Sequence, residues 1–284
     1  MKTVLTGALE MKDKHIIISG GSSGIGLVLA EKLGKRGARL SLVARSPEKL
    51  EDVRARLESS GAVVKVFSCD VSDKSSVEET MARITSEQGP PDWLINSAGA
   101  LAGNYFENFA AEDFHRLMDI NFYGTLYMTQ AALPGIKKKG GRIVNISSMA
   151  GVKGIFGYTS YCASKHAVAG LTHALRAELK PQRVHVHLVV PPEAETPMLE
   201  EVRKDRPPET KAVAETIPAL PAEKVAEKIV ADVHKDRYLI VPGTRTRALL
   251  YIGNLFPAME RMLMDFLVRK TYQGPRTPDT SGKE

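Results

Sequence analysis

Tyr161 and Lys165 stand four residues apart, a spacing that on a helix sets a phenol and an ammonium on one face. A free phenol titrates near 10, too high for efficient proton exchange at neutral pH, and a neighbouring cation favours the phenolate and lowers that value. Ser148 lies 13 residues upstream, just beyond a β-branched run, where its hydroxyl can bind a carbonyl oxygen. The three side chains suit proton transfer at a carbonyl. The Tyr161–Lys165 spacing alone also describes a chance surface pair, so a second motif has to decide.

That motif is Ser19-Gly20-Gly21-Ser22-Ser23-Gly24-Ile25-Gly26. Glycines permit a tight turn and close backbone approach, and the helix that follows offers free N–H groups to a pyrophosphate. The run follows a strand pattern, His15–Ser19, opens a helical one, Ile25–Gly34, and has a second strand, Arg39–Val43, at the distance a dinucleotide turn requires. Folds that prefer NAD place an acid just past that strand to hold the ribose hydroxyls. Ala44 and Arg45 stand there instead, and a guanidinium pairs with a 2′-phosphate. Glu48 falls in the cap of the next helix. The pattern favours NADP(H).

The elements that must position these residues alternate short β-branched runs with helical patterns, the signature of βαβ units and a parallel sheet. Further strands are expected at Val63–Phe67, Trp93–Ile95, Arg142–Ile146 and Val184–Val190. A second helix opens at Ser46-Pro47, a long one runs from Glu112 into Ala132, and another from Tyr161 to Lys180. The fold class is α/β, a Rossmann-type doubly wound parallel sheet in a single domain, with a helical extension at the C-terminus. The expected bounds are 10–243 for the cofactor domain, 244–272 for the extension and 273–284 for a disordered tail. Seven prolines between Pro191 and Pro221 suggest a mobile lid over about 192–222.

With 43% hydrophobic and 25% charged residues, wholesale disorder is excluded. Two cysteines, Cys69 and Cys162, exclude a disulfide scaffold and a four-cysteine zinc site. His185 and His187 share a strand face, but no third ligand accompanies them, and no metal is expected. The net charge of +6 tolerates phosphate cofactors or acidic lipids. No basic stripe with interleaved aromatics points to nucleic acid. The uncharged run Ala248–Met259 is shorter than the roughly 18 residues a membrane span needs, and the N-terminal apolar stretch is too short for a secretory signal. A cytoplasmic protein, soluble or peripheral on the cytoplasmic face of a membrane, is expected.

These residues resemble the short-chain dehydrogenase/reductase family from about Lys14 to Thr196 and more loosely to Val233. Gly20, Gly24 and Gly26 match its glycine motif, with Ser19 where Thr is usual; Ser22, Ser23, Ile25 and Arg45 complete the expected phosphate site. Asp70-Val71 match the pair at the adenine, and Asn96-Ser97-Ala98-Gly99 stand where the family has Asn-Asn-Ala-Gly. Asn121, Ser148, Tyr161 and Lys165 match the catalytic tetrad, and Pro191 and Thr196 the segment at the nicotinamide carboxamide. The resemblance implies that NADPH delivers hydride to a ketone while Tyr161 gives a proton, Ser148 orients the carbonyl, Lys165 holds the ribose and Asn121 positions a relay water. It also implies a homo-oligomer, dimer or tetramer.

Pro191-Pro192-Glu193-Ala194-Glu195-Thr196-Pro197 departs from the family's usual Pro-Gly and is similar to the 3-ketodihydrosphingosine reductase branch, as is Phe156–Tyr161. The implied substrate is a hydrophobic ketone, foremost a 3-keto sphingoid base, with steroids, retinoids and 3-ketoacyl lipids as alternatives. A cofactor-sensing protein without catalysis is the different-class alternative, and the intact tetrad weighs against it. Leu249, Ile252, Phe256, Met259, Leu263, Phe266 and Leu267 recur at helical spacing, interrupted by Pro257, with Arg245, Arg247, Arg261, Arg269 and Lys270 around them. Such a helix lies on an anionic membrane or packs on the core or a second subunit.

Overall fold

In the computed structural model, residues 11–274 are described. Strand β1 (His15–Ser19) leads through the glycine turn into α1 (Gly24–Gly34), followed by β2 (Arg39–Ala44), α2 (Pro47–Ser59), β3 (Val63–Ser68), α3 (Lys74–Gln88) and β4 (Trp93–Asn96). Next come α4 (Ala111–Leu117), a π-helical segment (Met118–Tyr123), α5 (Gly124–Lys139), β5 (Arg142–Ile146), α6 (Thr159–Leu179) and β6 (His185–Val189). The last third holds β7 (Ala194–Glu195), α7 (Pro197–Asp205), α8 (Pro208–Ala214), β8 (Leu220–Pro221), α9 (Ala222–His234), β9 (Leu239–Ile240), α10 (Thr244–Leu255) and α11 (Pro257–Thr271).

Seven strands form one parallel sheet in the order β3-β2-β1-β4-β5-β6-β9. Both faces are covered, so strand residues alternate between two cores. Ile16 and Ile18 pack with Leu29, Leu33, Val225 and Ile229 on the side of α1 and α9. Ile17 turns the other way, towards Val77, Ile84, Met128 and Ile136 of α3 and α5. Chain order reverses between β1 and β4, and the crevice beyond their carboxyl ends is where doubly wound sheets bind ligands. The Ser19 hydroxyl bridges that seam by accepting from the N–H groups of Ser97 and Ala98, at 3.2 and 3.3 Å.

The structure corrects three expectations. The helix from Glu112 to Ala132 is not continuous: the π-helical segment interrupts it around the fully buried Asn121. A π turn inserts residues without disturbing the apolar spacing on either side, so the pattern conceals it. The segment 192–222 is not a loose lid, because its prolines open helices. Pro197 and Pro208 sit in the first turns of α7 and α8, and β7 pairs with β8 across the segment. A seventh strand, β9, extends the sheet beyond β6; with two residues it is too short for period-two alternation to show. The expected tail lies, from residue 275 on, outside the described residues, as does residue 10. His187 serves the β6 edge: its Nδ1 donates to the Arg237 carbonyl at 2.8 Å, and burial pushes its pKa down to about 4.

Helix α8 is pinned from three sides. The fully buried Glu209 carboxyl accepts from the Tyr105 hydroxyl at 3.0 Å and from the Gln273 N–H at 2.8 Å, and Thr210 donates to the Phe156 carbonyl at 2.9 Å. Glu209→Ala removes the shared acceptor and is expected to cost about 1–3 kcal/mol. The check is urea unfolding together with limited proteolysis, which should accelerate within 197–214; an unchanged cleavage rate would show that the lid is held by other contacts.

Candidate active site

At the β1–β4 seam the backbone turns sharply enough that only glycine fits. Gly20 adopts φ +69°, and a Cβ there would stand 2.7 Å from the Ala98 nitrogen. A Cβ on Gly26 would collide with the Gly20 carbonyl, so α1 lies directly against the turn. Ser23 caps α1 with extended backbone and no side-chain capping bond, which leaves the first-turn N–H groups of α1 to the crevice. Ser22, Ser23, Gly24 and Ile25 line one side of a cavity of about 840 Å³, and Arg45, Ser46 and Lys49 line the far end of the same side. Glu48 does not line it; its carboxylate accepts from the Ser46 hydroxyl at 2.8 Å in the α2 cap. Burial works to raise the Asp70 carboxyl, but hydrogen bonds from Ser72 and the Arg45 charge prevail and hold it below its ordinary value. Val71, Ala98, Gly99, Pro191 and Thr196 complete this half of the lining. A narrow backbone cradle with cations at one end fits the pyrophosphate and 2′-phosphate of a dinucleotide.

Beyond the carboxyl ends of β4 and β5 the lining changes to Ser148, Tyr161 and Lys165. Ser148 accepts from the Ala150 N–H at 3.1 Å, and its hydroxyl pairs with the Tyr161 phenol. Lys165 is 6% exposed, donates to the Ile146 carbonyl at 3.0 Å, and lies 5.8 Å from the centre of the Tyr161 ring. Burial pushes the ammonium down to about 8. The Tyr161 phenol behaves opposite to the sequence expectation. Burial drives it well above its ordinary value; the bond with Ser148 opposes that, and the negative charge available to Cys162, Tyr158 and Glu193 adds to it. In this site desolvation outweighs the nearby cation, and the phenol keeps its proton at neutral pH.

Three expected residues do not reach the cavity wall. Gly26 acts from behind the turn. The Asn121 side chain is committed elsewhere: Nδ2 donates to the Ala100 carbonyl and the Ser164 hydroxyl, both at 2.9 Å, and Oδ1 accepts from the Ala100 N–H at 2.8 Å. It braces the loop after β4 rather than presenting a polar end to a water. Asn96, expected at the cofactor, points into the sheet, donating to Thr129 at 3.0 Å and to Asn145 at 2.8 Å. That strand-end asparagine closes a buried polar ladder, because Asn145 donates onward to Thr172 of α6 at 3.0 Å.

Residues to which the sequence assigned no role shape the rest, although Tyr158 and Glu193 fall within the Phe156–Tyr161 and Pro191–Pro197 motifs. Tyr158 stands edge-on to Tyr161, 6.1 Å between centroids, and its hydroxyl reaches Glu193 at 3.4 Å. Glu193 is held by Arg206 at 2.7 Å. The far end is apolar: Leu199 and Ile217 of the lid face Leu249, Ile252, Leu263 and Met264 of α10 and α11. Lys153 locks the helical pair over this end through Asn254 at 2.9 Å and Glu260 at 2.7 Å. Only the helical periodicity of the C-terminal apolar residues signalled this wall.

The family model described as short chain dehydrogenase matches residues 14–207. The chain belongs to the short-chain dehydrogenases. It is an oxidoreductase of that family. Among curated relatives of this short-chain dehydrogenase, a Mus musculus protein named 3-ketodihydrosphingosine reductase is 39% identical over 230 residues, 79% of this chain and 69% of the relative. A Dictyostelium discoideum protein of the same name is 35% identical over 84% of this chain and 77% of its own length. A crystal structure of an actinorhodin polyketide ketoreductase with NADPH superposes with a TM-score of 0.71 at 31% identity, covering 77% of this chain and 89% of that one.

The depressed Lys165 ammonium has a consequence for stability. Below pH 8 it is a charged group that the fold desolvates, a cost of about 3 kcal/mol against an unfolded chain that titrates near 10.5. As pH rises through 8 towards 10.5 the native state sheds that proton first, and the cost is relieved. Lys165→Met is therefore expected to be more stable than the parent at pH 7, by a margin that shrinks by pH 10. Urea unfolding of both proteins without cofactor at the two pH values checks this; a margin independent of pH would refute the depressed value.

Proposed function

We propose that the chain is an NADPH-dependent reductase of the 3-keto group of long-chain sphingoid bases, taking 3-ketodihydrosphingosine to dihydrosphingosine. The observation that carries this reading is the continuous cavity, in which a phosphate cradle, a serine–tyrosine–lysine cluster and an apolar end wall follow one another. The names of the mouse and Dictyostelium relatives support the substrate, and the NADPH of the solved ketoreductase supports the cofactor.

The N-terminus of α1 and the turn from Gly20 to Gly26 would hold the pyrophosphate, with Arg45 and Lys49 on the 2′-phosphate. Asp70 and Val71 would flank the adenine, Lys165 the nicotinamide ribose, and Pro191 and Thr196 the carboxamide. When bound, NADPH supplies the hydride for the ketone carbon. Ser148 donates a hydrogen bond to the ketone oxygen, and Tyr161 gives that oxygen its phenol proton as the alcohol forms. The phenol is protonated at neutral pH and so carries the proton to be given. Burial makes it a weaker acid than a free phenol, so the transfer depends on the charge the ketone oxygen gains and on the Lys165 ammonium beside the ring. The Lys165 ammonium then steadies the phenolate left behind. Asn121 positions Gly99 and Ala100 beside this cluster.

Purified protein should consume NADPH with detergent-dispersed 3-ketodihydrosphingosine and yield dihydrosphingosine. NADPH binding with that ketone untouched would sink the substrate assignment and leave the cofactor assignment standing. Tyr161→Phe should bind NADPH normally and turn over ~10²–10⁴-fold more slowly; near-normal turnover would remove Tyr161 from the donor role. Arg45→Ala should raise the KM for NADPH by roughly 10–100-fold, the loss of one charge-assisted contact, with the KM for NADH unmoved. Equal effects on both cofactors would place Arg45 away from the 2′-phosphate.

A further inference from the structure

Large exposed apolar side chains are not scattered over this molecule. Of the thirteen among the described residues, nine lie between Tyr251 and Tyr272. Met259, Met262, Leu263 and Phe266 fall at i, i+3, i+4 and i+7 of α11, hence on one stripe, and Met262 is 72% and Phe266 62% exposed. Leu255 and Phe256 carry the stripe to the end of α10. The opposite side of α11, with Glu260, Met264, Leu267 and Val268, is half-buried against the protein. The helix thus has two apolar sides, one packed and one bare. A patch of this extent is a contact surface rather than ordinary surface noise.

Its charge says what it contacts. Arg269 and Lys270 follow Phe266 by three and four residues and so continue the bare stripe, and Arg245, Arg247 and Arg261 add three cations to the helical pair. Only Glu260 and Asp265 oppose them, and Glu260 is drawn inward to Lys153. A second copy of the chain on this face would set these cations against themselves. An anionic lipid surface complements both the apolar stripe and its basic fringe, and α11, too short to span a bilayer, suits one that lies in the interface. Moreover Ile252, Met259 and Leu263 both line the cavity and belong to the exposed apolar set. The apolar end of the cavity therefore shares its wall with this face.

We propose that the α10–α11 face docks on an anionic bilayer and that the cavity opens into it, so that the chain of a lipid ketone passes from the leaflet to Ser148 and Tyr161. The access route rests on the proposed substrate class; the docking does not. Flotation of the full chain with phosphatidylcholine vesicles, with and without phosphatidylglycerol, tests the docking in the absence of substrate. The expected result is binding to the anionic vesicles that salt weakens. Met262→Glu with Phe266→Glu should abolish it, and Arg269→Glu with Lys270→Glu should weaken it about tenfold or more. Both double variants should melt like the parent and keep NADPH turnover of a short, water-soluble ketone, since these four side chains lie off the cavity wall. No binding by the parent, or binding that the apolar variant retains, would overturn the proposal. So would a dimer that the apolar variant dissociates while vesicles leave the parent unbound, which would assign the face to a second copy. With docking established, a rate on vesicle-borne 3-ketodihydrosphingosine that the apolar variant leaves unchanged would overturn the access route alone.

Discussion

A buried ammonium governs the arrangement of this site. Lys165 is enclosed, and its hydrogen bond runs to the Ile146 carbonyl, with no carboxylate paired to it among the described residues. A desolvated charge held by one backbone dipole tolerates little movement, since any shift leaves it uncompensated. The surrounding backbone is accordingly fixed. The Ser147 hydroxyl donates to the Lys165 carbonyl at 2.9 Å, drawing α6 against the end of β5. Gly151 leaves room there, because a Cβ would stand 2.6 Å from that carbonyl, and Gly99 passes close to both Lys165 and Asn121. Asn121 in turn holds Ala100 from within a π-helical segment. Strand, loop and two helices are thereby brought to positions that suit one cation.

The same cavity carries two different environments. Around the glycine turn the protein offers backbone N–H groups and cations, which suit a charged ligand that needs orientation. Beyond Tyr161 it offers apolar side chains drawn from four helices of the last third, which suit a ligand that needs removal from water. The Ser148–Tyr161–Lys165 cluster lies between these environments, deep enough that burial keeps the phenol protonated.

What the sequence disclosed was what local spacing controls. The turn from Ser19 to Gly26, the Tyr161–Lys165 pair and the alternating strands are short-range patterns, and each fell where its spacing placed it. The π-helical segment around Asn121 stayed hidden because apolar periodicity does not report the hydrogen-bond register of a helix. The lid was misread because proline marks both loops and helix starts, and only tertiary packing decides between them. Asn96 was assigned to the cofactor by motif, whereas its partners Thr129 and Asn145 come from elements 33 and 49 residues away. The state of Tyr161 was misjudged for a related reason: the cation is four residues off, but the burial that outweighs it comes from across the fold.

The order in which the chain lays down these parts has a consequence for how such a protein diversifies. The glycine turn, Arg45, Ser148, Tyr161 and Lys165 all precede residue 197, while the apolar wall comes from α7, α8, α10 and α11 after it. Within the later part α9 is built into the core, with Val225 and Ile229 packed among Ile16, Ile18 and Leu29. Strand β9 pairs with the sheet edge, whereas the wall-forming helices contribute to neither of the two sheet cores. The helices that meet the apolar end of a ligand can therefore change, and with them the molecules accepted, while α9 and the site before residue 197 stay in place.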